Sequence, residues 1–313
     1  PFTDTPQTDP ETGQTDSLLA RQLPKGSVPR IFLMNSGAEY WWAHLSLIHT
    51  DLSGTRDLAP SESVRIYYYS GTQHASGVFP LTDIDSASGS RGQQCFNWVD
   101  YRPVLRASLA NLDRWVRAGT APPASRHPHL DDGTLTAPEN IEAAFTPIPG
   151  VNFPKYMKRL SRLEFDPASS PAENLPSRVG SPYPVLVPVV DADGNELGGI
   201  RLPDIAVPLG THLGWNLRHP DTGAPGQVIG TTGSTIPFKA TRQERELSGD
   251  PRWSIEERYT SRDDYLGRVK AAARSLQHDG FLLPEDLDNL VEQASERYDL
   301  LISPVPQPQP ADN

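Results

Sequence analysis

The chain has 313 residues, 36% of them hydrophobic, with 32 prolines and a formal net charge of −11. That length suits one large α/β domain or two modest ones, and the acidity, with no Lys/Arg cluster, excludes a nucleic-acid partner, whose phosphates need a basic footprint. No apolar run approaches the roughly 20 residues that span a bilayer, and the single cysteine, Cys95, excludes an internal disulfide and a cysteine-based metal site.

The chain opens "PFTDTPQTDPETG", without Met, and reads as the interior of a longer protein; the compartment stays open. Residues 1–28 form a polar lead-in with a helical turn at "DSLLARQL". Residues 30–34, "RIFLM", are short and apolar enough for a buried strand. Residues 64–70, "VRIYYYS", rich in β-branched and aromatic side chains, form a second strand. Over 100–118, "DYRPVLRASLANLDRWVRA", the spacing predicts an amphipathic helix with Val104, Leu105, Leu109, Leu112, Trp115 and Val116 on its apolar face. Pro103 suits its first turn and Gly119 its end.

Residues 119–180 are loop-heavy, with "APPASRHPHL" and "DPASSPAENLPS". A β-rich segment follows, "YPVLVPVV", a turn at "DADGN" and "ELGGIRLPDIAVPLG". Ser254 with Glu257, and Ser261 with Asp264, have the spacing of capping boxes. A helix over 262–278 carries Tyr265, Leu266, Val269, Ala273 and Leu276 on its apolar side, and Pro284 opens a last helix carrying Leu287, Leu290, Val291, Ala294 and Tyr298. The closing "SPVPQPQPADN", 303–313, has the composition of a disordered tail. The expected division is 1–120, 121–302 as an accessory region packing on it, and the tail.

Two residues carry the chemistry. Glu39, in "NSGAEYWW", follows the first strand, and His74, in "SGTQH", follows the second. A carboxylate and an imidazole thrown off neighbouring strand ends are two parts of a hydrolytic triad, in the chain order acid then His. The crossover between the two strands is long enough for a parallel connection. Duller roles exist for both: Glu39 as a helix-capping carboxylate and His74 as a turn histidine bonded to backbone.

The segments "EYWW", "SLIHTDLSGTRDL", "VRIYYYSGTQH", "GQQCFNWVDYRPVLRASLANLDRWVRAGTAPP" and "GTTGSTIPF" resemble the large bacterial family of alpha/beta hydrolase domain proteins, over about residues 10–300. The resemblance implies an esterase-type serine hydrolase with no cofactor, acting on a small-molecule ester. Glu39 would be the acid and His74 the general base. It also implies a mainly parallel sheet, of which this chain holds the C-terminal part, with an added loop-rich, β-hairpin and helical region.

One departure stands out: no G-x-S-x-G elbow occurs in the sequence. Ser36 imitates one, but Met34 stands where the elbow needs a small residue, and the acid follows only three residues later. Ser76 lies on the wrong side of the base. The nucleophile is therefore expected upstream, in the N-terminal part of the same protein, which becomes the expected partner of this chain.

Tyr40, Trp41 and Trp42 are candidates for an acyl or aromatic pocket, with the core as the equal alternative. His49 is a candidate for supporting the site through hydrogen bonds, and His212, in "GTHLGWN", for reaching the pocket; packing is the plainer role for both. His44 and His49, at i, i+5, lack the i, i+4 spacing of a metal helix. His127 and His129, in a Pro-rich loop, are expected in solvent. "DADGN" resembles the start of a calcium loop, but position twelve would be Leu202, so a hairpin turn is expected and no metal. The alternative to an enzyme is a non-catalytic module that binds a ligand or partner with its aromatic cluster, Glu39 and His74 being structural.

Overall fold

The computed structural model describes residues 2–164 and 178–303. The "DPASSPAENLPS" segment and the end of the tail, 304–313, lie outside the described residues. The two strands read from composition are present as β1 (Ile31–Ser36) and β2 (Val64–Tyr69), each slightly displaced from its expected bounds. They run parallel in register from Ile31 opposite Val64 to Ser36 opposite Tyr69, so both end level. The far edge of β2 takes single parallel bridges from two loops, Tyr67 to Arg126 and Tyr69 to Ile200.

Between β1 and β2 the chain forms α1 (Gly37–Trp42) and a 3-10 turn (Leu45–Ile48). Further along come β3 (Cys95–Phe96) and α2 (Arg102–Ala118), whose C-cap, Gly119, adopts φ +68°. β4 (Gly210–Leu213) and β5 (Ser234–Pro237) pair antiparallel, and β3 adds to the outer edge of β5, also antiparallel. Two long helices, α3 (Arg262–His278) and α4 (Leu287–Ile302), close the described chain. Elsewhere the pairing is two-stranded and antiparallel, as between Gln7–Thr8 and Thr15–Asp16 within the lead-in. The chain is thus α/β in class; its described sheets are small and mostly antiparallel, and β1–β2 is the parallel ladder among the described residues.

The largest core cluster joins β2, α2, α3 and α4 through Tyr67, Tyr69, Val104, Val269, Tyr265 and Leu290. It takes residues from both sides of position 120. A second cluster packs Tyr40 and Trp41 of α1 against Tyr68, Phe145, Leu213 and Trp215.

The buried face of α2 differs from the expected one. Val104 and Trp115 are inside, but Leu109 is 69% and Val116 63% exposed, and the interior positions are completed by Ala107, Ser108 and Asn111. The small residues let α2 approach the core closely, and Asn111 Nδ2 donates to Gly280 O at 2.8 Å. Ser254 and Glu257 form the expected capping box. Ser261 accepts from Asp264 N, but the Asp264 carboxylate receives the N–H of Thr260 instead of that of Ser261, so the second box is not reciprocal. "DADGN" is a hairpin turn: Asp191 N–H donates to Asn195 O, and Val190 bridges Glu196 antiparallel.

The start of α1 lies hard against the loop after β4. A Cβ on Gly214 would stand 2.2 Å from the Gly37 carbonyl carbon and 2.7 Å from Ala38 N, all backbone atoms unable to yield. Gly214→Ala should therefore destabilise the fold by at least about 2 kcal/mol. Gly267→Ala, in the exposed part of α3 with nothing within 4 Å of the added methyl, should stabilise it by about 1 kcal/mol. Denaturant midpoints of the two variants are expected to move in opposite directions.

Candidate active site

Ser36 ends β1 and is the N-cap of α1, with extended backbone. Three residues on, the Glu39 carboxylate folds back over it, and its Oε2 accepts from Ser36 N at 2.7 Å and Ser36 Oγ at 2.5 Å. The duller role foreseen for Glu39 is thus real: it caps the helix that carries it. Capping occupies one oxygen only. Oε1 is hydrogen-bonded to Nδ1 of His74, which lies just past the end of β2. A carboxylate oxygen accepts, so Nδ1 carries the proton of this hydrogen bond, and in the neutral ring Nε2 is the nitrogen with the free lone pair. The carboxylate side chain is 19% exposed and the imidazole 62%, so the acid is covered while the ring faces outward.

Both strand tips are clamped. Thr72 sits between them: its carbonyl accepts Ala38 N–H at 3.2 Å, and its hydroxyl donates to Tyr69 O at 2.7 Å. The His74 main chain is fixed at both ends, its N–H donating to Thr231 O at 3.1 Å and its C=O accepting from the Tyr101 hydroxyl. Burial, with the charges of Glu39 and Asp100 added, pushes the Tyr101 phenol up to about 12, so it stays a donor. Asn97 Nδ2 bridges Gly71 O at 2.7 Å and Leu213 O at 3.0 Å, tying this loop to β4.

Beneath the loop lies Glu196, fully enclosed. Its Oε2 accepts from Gly71 N at 2.6 Å and the Tyr68 hydroxyl at 2.5 Å. Burial pushes this carboxyl up to about 7, against the lowering effect of those two hydrogen bonds.

The remaining candidates sit elsewhere. Tyr40 and Trp41 are in the core, with Tyr40 edge-on to Tyr68 at 4.8 Å and Trp41 tilted on Trp215 at 5.5 Å. Trp42, 42% exposed, is at the surface, with Lys158 Nζ 5.0 Å from its ring centre. His49 is fully buried and bonded through Nε2 to the Tyr40 hydroxyl at 2.7 Å, so it braces α1 from within. His212, on β4, is fully buried; its Nδ1 meets Thr235 Oγ1 at 3.1 Å, and burial pushes it down to about 3. Tyr40, Trp41, His49 and His212 are buried away from the exposed face of His74, because burying their rings is worth more than exposing them. The Trp42 indole stays at the surface and lies against Gly230, next to the Thr231 that holds the His74 N–H. His127 is also buried, contrary to its expected place in solvent: it stacks between His49 and His129 with ring centres 4.4 and 4.1 Å away, and burial lowers it to about 4.

Ser36 as a hydrogen-bond partner of Glu39, Thr72, Asn97, Tyr101, Thr231 and Glu196 were not foreseen. The Ser36-x-x-Glu39 spacing is itself a capping-box signature and could have revealed the first. Thr72 lies two residues from His74, but its contact with Ala38, like the contacts of the others, joins stretches distant in sequence and leaves no local signal. Among the described residues no group of three or more His, Cys, Asp or Glu side chains is placed to hold a metal ion, and no helix is long and apolar enough to cross a membrane. Nor is any described hydroxyl or thiol hydrogen-bonded to His74 Nε2, and burial raises the Cys95 thiol away from its reactive thiolate form.

The geometry is that of a hydrogen-bonded carboxylate and imidazole at the ends of two parallel strands. The chain belongs to the alpha/beta hydrolase domain family, whose pattern matches residues 3–292. No curated protein matches the chain, and no solved structure does.

The Glu196 carboxyl has a clear consequence for stability. Its value in the fold, about 7, is above its ordinary 4.5, so the folded state favours the protonated form. The stability this gives is complete below about pH 4.5 and is lost as pH rises through about 7. Glu196→Gln removes the titration. Its unfolding free energy relative to the parent should therefore shift in its favour by up to about 3 kcal/mol between pH 4 and pH 8, read from denaturant melts at each pH.

Proposed function

We propose that this chain supplies the acid and the general base of a serine hydrolase that cleaves carboxylic esters, the nucleophilic serine lying on a segment that precedes these residues in a longer protein. The observation that supports this most strongly is the Glu39–His74 hydrogen bond, which leaves Nε2 unoccupied on a solvent-facing ring. Hydrolase chemistry follows from the family; ester cleavage by a serine is the finer reading. In the same reading β1 and β2 are the closing strands of a larger, mainly parallel sheet.

In the proposed reaction, His74 Nε2 takes the proton from the serine hydroxyl as its oxygen attacks the ester carbonyl. The tetrahedral intermediate collapses by breaking the bond to the alcohol oxygen, which receives that proton from the imidazolium. Water, deprotonated by the same nitrogen, then attacks the acyl-enzyme, and the proton passes back to the serine. Glu39 does not take the proton. It holds Nδ1–H in place and offsets the positive charge that develops on the ring. Ser36 and Thr72 position that carboxylate.

In the complete protein, Glu39→Gln and His74→Ala should each lower kcat/KM for an ester by several powers of ten, on the order of 10⁴ for loss of an orienting acid, with circular dichroism unchanged. Near-parental activity in either variant would reject the assignment. The chain expressed alone should show no ester turnover and should not react with a serine-directed phosphonate; labelling would place the nucleophile within it.

A further inference from the structure

A cavity of about 420 Å³ opens beside the His74 loop. Gln73 and Ala75, the neighbours of His74, both line it, as does Thr231, whose carbonyl holds the His74 N–H. Ala75, Val78, Phe96 and Ile229 supply its apolar surface, and Ser76 and Thr232 add hydroxyls. The one charged side chain lining it is the carboxylate of Asp85, kept below its usual range by the Ser88 hydroxyl and the Ala87 N–H. Thr231 adopts φ +69°, a left-handed conformation that a β-branched residue takes only when its surroundings impose it, and such positions cluster at functional sites. The strained turn thus grips the candidate base and forms a wall of the cavity together.

We propose that this cavity receives the alcohol part of the ester and selects an uncharged group of about one ring's bulk. The inference rests on the acid–base role of His74. The nitrogen that returns a proton to the leaving oxygen must lie beside that oxygen, so the group attached to it projects along the His74 loop, whereas the acyl part remains with the nucleophile. Apolar walls favour an alkyl or aryl group, hydroxyls at the lining accept moderate polarity, and the Asp85 carboxylate disfavours an anion.

The test uses the complete protein and three esters of one acid: methyl, benzyl and 4-carboxybenzyl. The parent should prefer benzyl to 4-carboxybenzyl by about tenfold or more in kcat/KM. Ala75→Trp, at an exposed position on the lining, should lower the benzyl-to-methyl ratio by about tenfold or more; taking the ratio cancels any loss common to both esters through His74. Asp85→Asn should raise 4-carboxybenzyl relative to benzyl. A benzyl-to-methyl ratio that stays within about twofold of the parent's in Ala75→Trp, equal cleavage of the charged and neutral benzyl esters, or variants that respond to the acyl part instead would each overturn the assignment while leaving the acid–base pair intact. No turnover of any ester by the complete protein would remove both.

Discussion

The Glu39 carboxylate divides its two oxygens between the chain that carries it and a histidine 35 residues away. One oxygen receives the N–H and hydroxyl of Ser36 and so starts α1; the other receives Nδ1 of His74. A carboxylate bound only to His74 would swing with its side chain. Bound also to Ser36, it is fixed relative to the end of β1, and the imidazole it holds inherits that position. Charge-assisted hydrogen bonds are the stronger kind, and two to one oxygen from a single residue leave little freedom.

Placing the two strand ends level is the task of the surrounding fold. The β1–β2 register ends with Ser36 opposite Tyr69, which brings the first turn of α1 next to the loop after β2. Gly37 and Gly214 remove side chains where backbones meet, and Thr72 then bridges loop and helix directly. Below, the enclosed Glu196 accepts from Gly71 and Tyr68; above, Asn97, Tyr101 and Thr231 hold the main chain around His74. These groups come from segments spread over more than a hundred residues. A chain with 32 prolines and short strands is held at this point by side-chain and loop main-chain hydrogen bonds more than by sheet hydrogen bonding.

How much of this was legible in the sequence depended on whether the signal was local. β1, β2, α3 and α4 were readable because apolar runs and helical periods report burial directly. Glu39 and His74 were readable as residues that follow strands, and the roles proposed for them are those the resemblance implies. The buried face of α2 was readable only in part: Val104, Trp115 and the partly buried Leu105 meet the core as their spacing suggests, but Leu109 and Val116 are exposed, and Ala107, Ser108 and Asn111, whose small size and polarity hide a core position, complete the face. The prolines flanking His127 suggest a solvated loop, whereas the ring is buried between His49, tilted against it, and His129, stacked on it. The clamps at Glu196, Asn97 and Thr231 carry no local signature, since each depends on which distant backbone group the fold delivers to it.

The central claim is that the Glu39 carboxylate holds the proton of His74 on Nδ1 and leaves Nε2 as the base. Nitrogen-15 chemical shifts of the labelled His74 ring, measured in the folded protein at neutral pH, test this most directly. The account predicts a ring protonated at Nδ1 with a far-downfield, hydrogen-bonded proton, reverting toward the ordinary tautomer mixture in Glu39→Gln. A His74 ring protonated mainly at Nε2, or one indifferent to the Glu39 substitution, would contradict it.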